Sequence, residues 1–206
     1  MISMTRPKLL LAICFISSCT SFTYTDSAKY LVGYFSSFET DVISNKYYSN
    51  QKYSFANVKI GRGPASTIVL AYINGDTYEW RSADNIKIYT INERIVRTAG
   101  FETDSRFFYT NSPKFADGNT GVGTVSFRNP DLIRSNFTYK ISRKENSEIS
   151  RFDEIIEVEV FEELIEVSSI RWRTKNIYFI KDGKVLRAVS KINPLVPQFK
   201  IDYYYK

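Results

Sequence analysis

Apolar and polar residues alternate in short runs from residue 53 to the C-terminus, and turn residues separate the runs. A two-residue period buries one face of a strand and wets the other, as antiparallel sheets do. Residues 66–73 form an apolar strand closed by Asn74-Gly75, the strongest short hairpin signal in the chain. Residues 77–82 alternate, with Tyr78, Trp80 and Ser82 on one face and Thr77, Glu79 and Arg81 on the other. Asp84-Asn85 turns into a strand over 86–91, where Ile86, Ile88 and Thr90 share a face, and Asn92-Glu93 turns into another over 94–99. Two-residue links cannot join parallel strands, so these four make an antiparallel meander. Residues 110–124 have the composition of a loop. Further strands are expected over 137–141, 156–160, 164–172 and 177–180, and Asp182-Gly183 turns into one over 184–190. Within 156–160, Ile156, Val158 and Val160 are expected inward and Glu157 and Glu159 outward. The terminal Tyr203, Tyr204 and Tyr205 read as an edge strand or a contact surface. A large sheet in one domain has to curl or close to protect its edges. The predicted fold is all-β with a short N-terminal helix, its large antiparallel meander curled into an open or half-closed barrel.

The N-terminal part breaks the period. Tyr30, Leu31, Tyr34, Phe35, Phe38, Val42 and Ile43 recur at three- and four-residue spacing, which predicts a helix packed on the sheet, with Asp26 or Ser27 as its cap. Ahead of it, Arg6 and Lys8 precede an apolar run over 9–16 and then Ser17-Ser18, the pattern of a secretory signal peptide. The run is too short for a membrane span, which takes about 20 residues. Ile16-Ser17-Ser18-Cys19 has the form of a bacterial lipobox, whose cysteine is diacylated and becomes the new N-terminus. Cys14 is the poorer candidate, because Ile13 before it is too bulky for the cleavage position. The expected organisation is a lipoprotein signal peptide over 1–18, a lipidated tether over 19–27 and a single β-rich domain over 28–206. By the sorting rule of such lipoproteins, Thr20 after the cysteine points to the outer membrane, with the protein lipid-anchored and facing the periplasm.

Composition narrows the chemistry. The 206 residues include two cysteines and no histidine. No Ser-His-Asp or Cys-His machinery is available, nor a His-ligated metal, and two cysteines do not close a structural zinc site. No cofactor or metal site is expected. Removal of residues 1–18 takes Arg6, Lys8 and Cys14 with it, which lowers the formal charge from +6 to +4 and leaves the mature domain without a free thiol. The charges are dispersed, so nucleic acid is not an expected partner, while an anionic polymer or lipid surface is compatible with the balance.

Three segments carry a resemblance. Leu70-Ala71-Tyr72, then Trp80-Arg81-Ser82-Ala83-Asp84, then Glu93-Arg94-Ile95-Val96-Arg97-Thr98-Ala99-Gly100-Phe101 resemble the core signature of the YjbF lipoproteins, the GfcB-like group 4 capsule (exopolysaccharide) family. Trp172, Asn176, Tyr178, Asp182-Gly183, Ser190 and Pro194 follow the family's closing hairpin, although Glu93 stands where the family usually has Gly and Phe179 where Trp is common. The resemblance implies an outer-membrane lipoprotein with a role in polymer secretion or assembly, no established enzyme activity and no active site to carry over.

Candidate ligand-binding residues follow from side-chain chemistry. Tyr78, Trp80 and Ser82, with Arg94, Arg97, Thr98 and Trp172, offer aromatic faces and guanidinium donors suited to sugar rings and acidic sugars. The plainer alternative makes Trp80 a core residue and pairs Arg94 or Arg97 with Glu79 across strands. Asp153, Glu154, Glu157, Glu159, Glu162, Glu163 and Glu166 form the densest acidic stretch and read as a solvated face. Three functions are open: a non-enzymatic lipoprotein that assists capsule or exopolysaccharide export by binding polymer or a secretion partner, a half-barrel carrier of a lipid or acyl chain, and a carboxylate-dependent polysaccharide hydrolase or lyase.

Overall fold

A computed structural model describes residues 43–206 apart from Asp153. The segment expected as a signal peptide, Cys19 and the stripe expected as a helix, up to Val42, lie outside the described residues. A short helix α1 (Asn45–Asn50) opens the described chain, with Ser44 Oγ accepting from Tyr47 N at 3.2 Å as its N-cap. Thirteen strands follow: β1 (Phe55–Ile60), β2 (Ala65–Asn74), β3 (Thr77–Arg81), β4 (Lys87–Ile91), β5 (Arg94–Ala99), β6 (Ser105–Tyr109), β7 (Thr120–Phe127), β8 (Leu132–Arg143), β9 (Ser147–Arg151), β10 (Glu154–Val167), β11 (Trp172–Lys181), β12 (Lys184–Ser190) and β13 (Phe199–Tyr204). All pairs are antiparallel, β13 pairs with β1 and β10 pairs with β11. Twelve strands thus close a barrel, with β9 appended to β10. The curled antiparallel meander expected from the pattern is present, and its closure is complete.

A twelve-strand barrel encloses more space than an eight-strand one. Here large rings fill it. Trp80, Phe137, Tyr178, Phe199 and Tyr203 are among the largest fully buried side chains. They meet edge to face or tilted: Phe107 on Phe137, Phe127 on Trp172, Trp80 on Tyr203, Phe101 on Phe199. An aromatic fill thus occupies the lumen. Two glycines make room for it. At Gly121 an added Cβ would lie 2.5 Å from Tyr139 Oη, and at Gly123 it would lie 2.5 Å from Phe137 Cζ and against the Phe108 carbonyl. The outer wall carries ion pairs instead, such as Arg143–Glu159 at 2.6 Å and Arg173–Glu166 at 2.7 Å. Aromatic inside and charged outside is the reverse of a lipid-facing barrel.

Both ends are stoppered. The link between β12 and β13 folds over one end, where the fully buried Asn193 donates to the carbonyls of Thr103 and Asn129 at 3.3 and 2.9 Å. At the other end, Phe115 in the β6–β7 link packs on Phe161 and Tyr178. The β9–β10 hairpin straps the outer wall. Ile149, Val158 and Val160 bury with Ile177, Phe179 and Leu186, and Arg151 at its tip donates to Tyr203 O at 2.6 Å.

Several local expectations are corrected. Ile156, Val158 and Val160 are covered by the strap rather than the lumen, and the phase reverses at Phe161, after which Glu163, Ile165 and Val167 are buried. The strand expected over 164–172 is interrupted by a 3-10 turn (Ser168–Ile170) and by Arg171 at φ 52°. Residues 120–124, expected as loop, belong to β7, whose glycines answer to neighbouring rings rather than to a turn. β13 is paired on both sides and is no edge strand.

Candidate functional site

The barrel wall is weakest between β5 and β6. Their ladder is one residue pair, Arg97 with Arg106. On the side of the β5–β6 link, side chains replace the ladder: Thr98 Oγ1 accepts from Ser105 N at 3.0 Å, and the Asp104 carboxylate accepts from Gly100 N and Phe101 N at 3.2 and 3.1 Å. On the other side a cleft of about 550 Å³ opens. Its lining includes Asp76, Tyr89, Arg94, Arg97, Arg106 and Phe108. Arg97 lies over the Tyr89 ring at 5.0 Å and Arg106 over the Phe108 ring at 4.4 Å. Both arginines are exposed. The volume is in the usual range of ligand sites.

Behind the cleft sits a buried charge network. Arg94 and Glu163 are 1% and 0% exposed and pair at 3.1 Å. Glu163 also accepts from Tyr178 Oη at 2.9 Å, Asn176 Nδ2 at 3.3 Å and Tyr109 Oη at 3.5 Å. Arg94 Nη1 donates to Pro113 O at 3.0 Å, which ties the β6–β7 link to the cleft floor. The guanidinium lies 3.8 Å from the Phe115 ring centroid. Its Nη2 is buried and has no hydrogen-bond partner among the described residues. Charge in such a place is tolerated only when paired and hydrogen-bonded.

Burial first, and then the Glu163 charge, hold the Tyr109 and Tyr178 phenols well above their ordinary value of 10, and burial likewise raises Tyr203. Each stays protonated and able to donate. A phenol whose folded-state pKa exceeds its unfolded one stabilises the fold fully below the unfolded value and loses that contribution as pH rises. Stability is therefore expected to fall steeply above pH about 10. Stopped-flow absorbance at 295 nm should show part of the tyrosine titration appearing only at the unfolding rate; complete titration within the mixing time would contradict it.

The structure brings two of the sequence-predicted site residues, Arg94 and Arg97, to the cleft. Trp80 is fully buried and donates to Thr90 Oγ1 at 3.0 Å. Tyr78 packs on the core, Thr98 is buried in the seam, and Trp172 is half-buried against Phe127. Ser82 Oγ accepts from Ile86 N in the β3–β4 turn. Neither Arg94 nor Arg97 pairs with Glu79, which holds Arg81. Arg106, Phe108 and Tyr89 escaped sequence reasoning; the only available signal was the Arg-Phe-Phe-Tyr run over 106–109, which is uninformative until β6 is set beside β5. Glu93 shows why a glycine suits that position, since Asn92 and Glu93 both have positive φ, 47° and 58°. Its carboxyl is raised by burial and accepts from Tyr205 Oη at 2.5 Å.

The architecture is thus that of a closed, solid antiparallel barrel with an arginine-bearing cleft in its wall. Residues 31–203 match the profile of the group 4 capsule polysaccharide lipoprotein family, gfcB and YjbF. The chain belongs to that family of capsule-related lipoproteins. Among solved structures it is similar to the hypothetical lipoprotein YmcC from Escherichia coli (K12), at 16% identity and TM-score 0.68, covering 91% of this chain and 98% of that one. That likeness shows the fold. No curated protein sequence matches the chain.

Proposed function

We propose that the chain is an outer-membrane lipoprotein, anchored through Cys19 after loss of residues 1–18, with residues 19–27 as tether. It assists capsule or exopolysaccharide secretion or assembly by contact rather than by catalysis. The observation that carries the contact reading is the cleft: a wall opening that presents two exposed guanidinium groups on aromatic faces. The filled lumen gives little support to a carrier of lipid or acyl chains. The cleft lining offers Asp76 as a carboxylate beside three arginines, a poor match to a two-carboxylate hydrolase.

Deleting the gene is expected to reduce surface polymer without altering its bonds, measured by uronic-acid assay and linkage analysis of the extracted polymer. Unchanged output would refute the role. Cys19→Ala should move the protein from the membrane to the soluble fraction, and continued membrane association would refute the anchor.

A further inference from the structure

We infer that the cleft between β5 and β6 is a binding site for the carboxylate groups of an acidic polysaccharide, with Arg97 and Arg106 as the paired receptors. The inference rests on the contact reading above and names its ligand class. It starts from an energetic anomaly. Arg97 and Arg106 stand directly opposite each other in the only ladder pair of the seam. Like charges in that position destabilise a sheet. Neither has an acidic partner among the described residues, although the same wall elsewhere pairs its arginines, as in Arg143–Glu159 and Arg187–Asp202. The repulsion is relieved when an anion sits between the two.

The geometry suits a sugar acid. Each guanidinium rests on a ring, Arg97 on Tyr89 and Arg106 on Phe108, which holds its plane and leaves the N–H edge free. A fixed planar fork matches a carboxylate in bidentate fashion. The cleft volume of about 550 Å³ provides for the pyranose rings on either side of the acid. Asp76 lines the cleft and supplies an acceptor for sugar hydroxyls. Beneath them the buried Arg94 forms part of the floor, its charge matched by Glu163.

The test uses the lipidated full chain purified in non-ionic detergent, titrated calorimetrically with sodium polygalacturonate, dextran and polyphosphate. Binding to polygalacturonate is expected, weakening as salt rises. Arg97→Gln with Arg106→Gln should weaken it about tenfold or more, since two charge-assisted hydrogen-bonding groups are lost. Because the pair repels, this double variant should match or exceed the wild-type unfolding midpoint in the absence of ligand; a structural role for the arginines would lower it. Equal binding by wild type and variant, equal binding of dextran, or no binding of polygalacturonate would overturn the site. Tighter binding of polyphosphate than of polygalacturonate would overturn the carboxylate assignment. Failure here with polymer loss in the deletion strain would leave the export role standing. Success here with unchanged polymer in that strain would remove the role and keep the site.

Discussion

Glu163→Ala is expected to lower the unfolding free energy by about 3–5 kcal/mol, the usual cost of removing one partner of a buried ion pair. The side chain is the acceptor for Arg94, Asn176, Tyr109 and Tyr178 together, and each donor would be left facing an apolar lumen. A charge with no counter-ion costs more than the pair ever contributed. Arg94→Met combined with Glu163→Leu should therefore recover a large part of the loss, because it removes both charges and keeps the volume. Urea unfolding of the three proteins measures this through their midpoints at constant slope. A single variant within about 1 kcal/mol of wild type would mean that Glu163 is not held as described.

The second large effect concerns the two glycines of β7. Gly123→Ala places a methyl group against the Phe108 carbonyl and the Phe137 ring. Overpacking of this kind typically costs about 1–3 kcal/mol, and a backbone obstacle puts this case at or above the upper end. Gly121→Ala meets the Tyr139 ring instead, with Cε1 and Cζ at 2.7 Å. A side chain can be cut back where a backbone carbonyl cannot. Tyr139→Val should thus rescue Gly121→Ala, with the double variant less destabilised than the sum of the singles, whereas Phe137→Val should not rescue Gly123→Ala. Thermal unfolding of both cycles checks the contrast, and additivity at position 121 would contradict the packing described.

These residues also mark how far the sequence was legible. Apolar runs, alternation and turn dipeptides located β2 to β5 and β12 closely, because a short turn punctuates each of these hairpins. β7 was hidden because its glycines read as loop, and their cause is a ring from a neighbouring strand. Glu163 was hidden for a related reason. It sits among Glu162 and Glu166 in what reads as a wet face, yet the β9–β10 strap covers one side of β10 before Phe161 and the lumen takes the other side after it. Period alone does not report such a reversal; the adjacent apolar pair Val160 and Phe161 is its only trace. The resemblance to the YjbF lipoproteins rested on local motifs, and residues 31–203 bear it out. The cleft could not be read in advance. It lies where β5 and β6 share a single pair, a tertiary feature that no local pattern reports.

Polymer output in a deletion strain complemented with the Arg97→Gln, Arg106→Gln variant, expressed at the wild-type level, tests the central claim most directly. The barrel stays intact in that variant while the cleft loses its exposed charges. Surface polymer is predicted to remain at the level of the deletion strain, and full restoration would contradict a protein that works through this cleft.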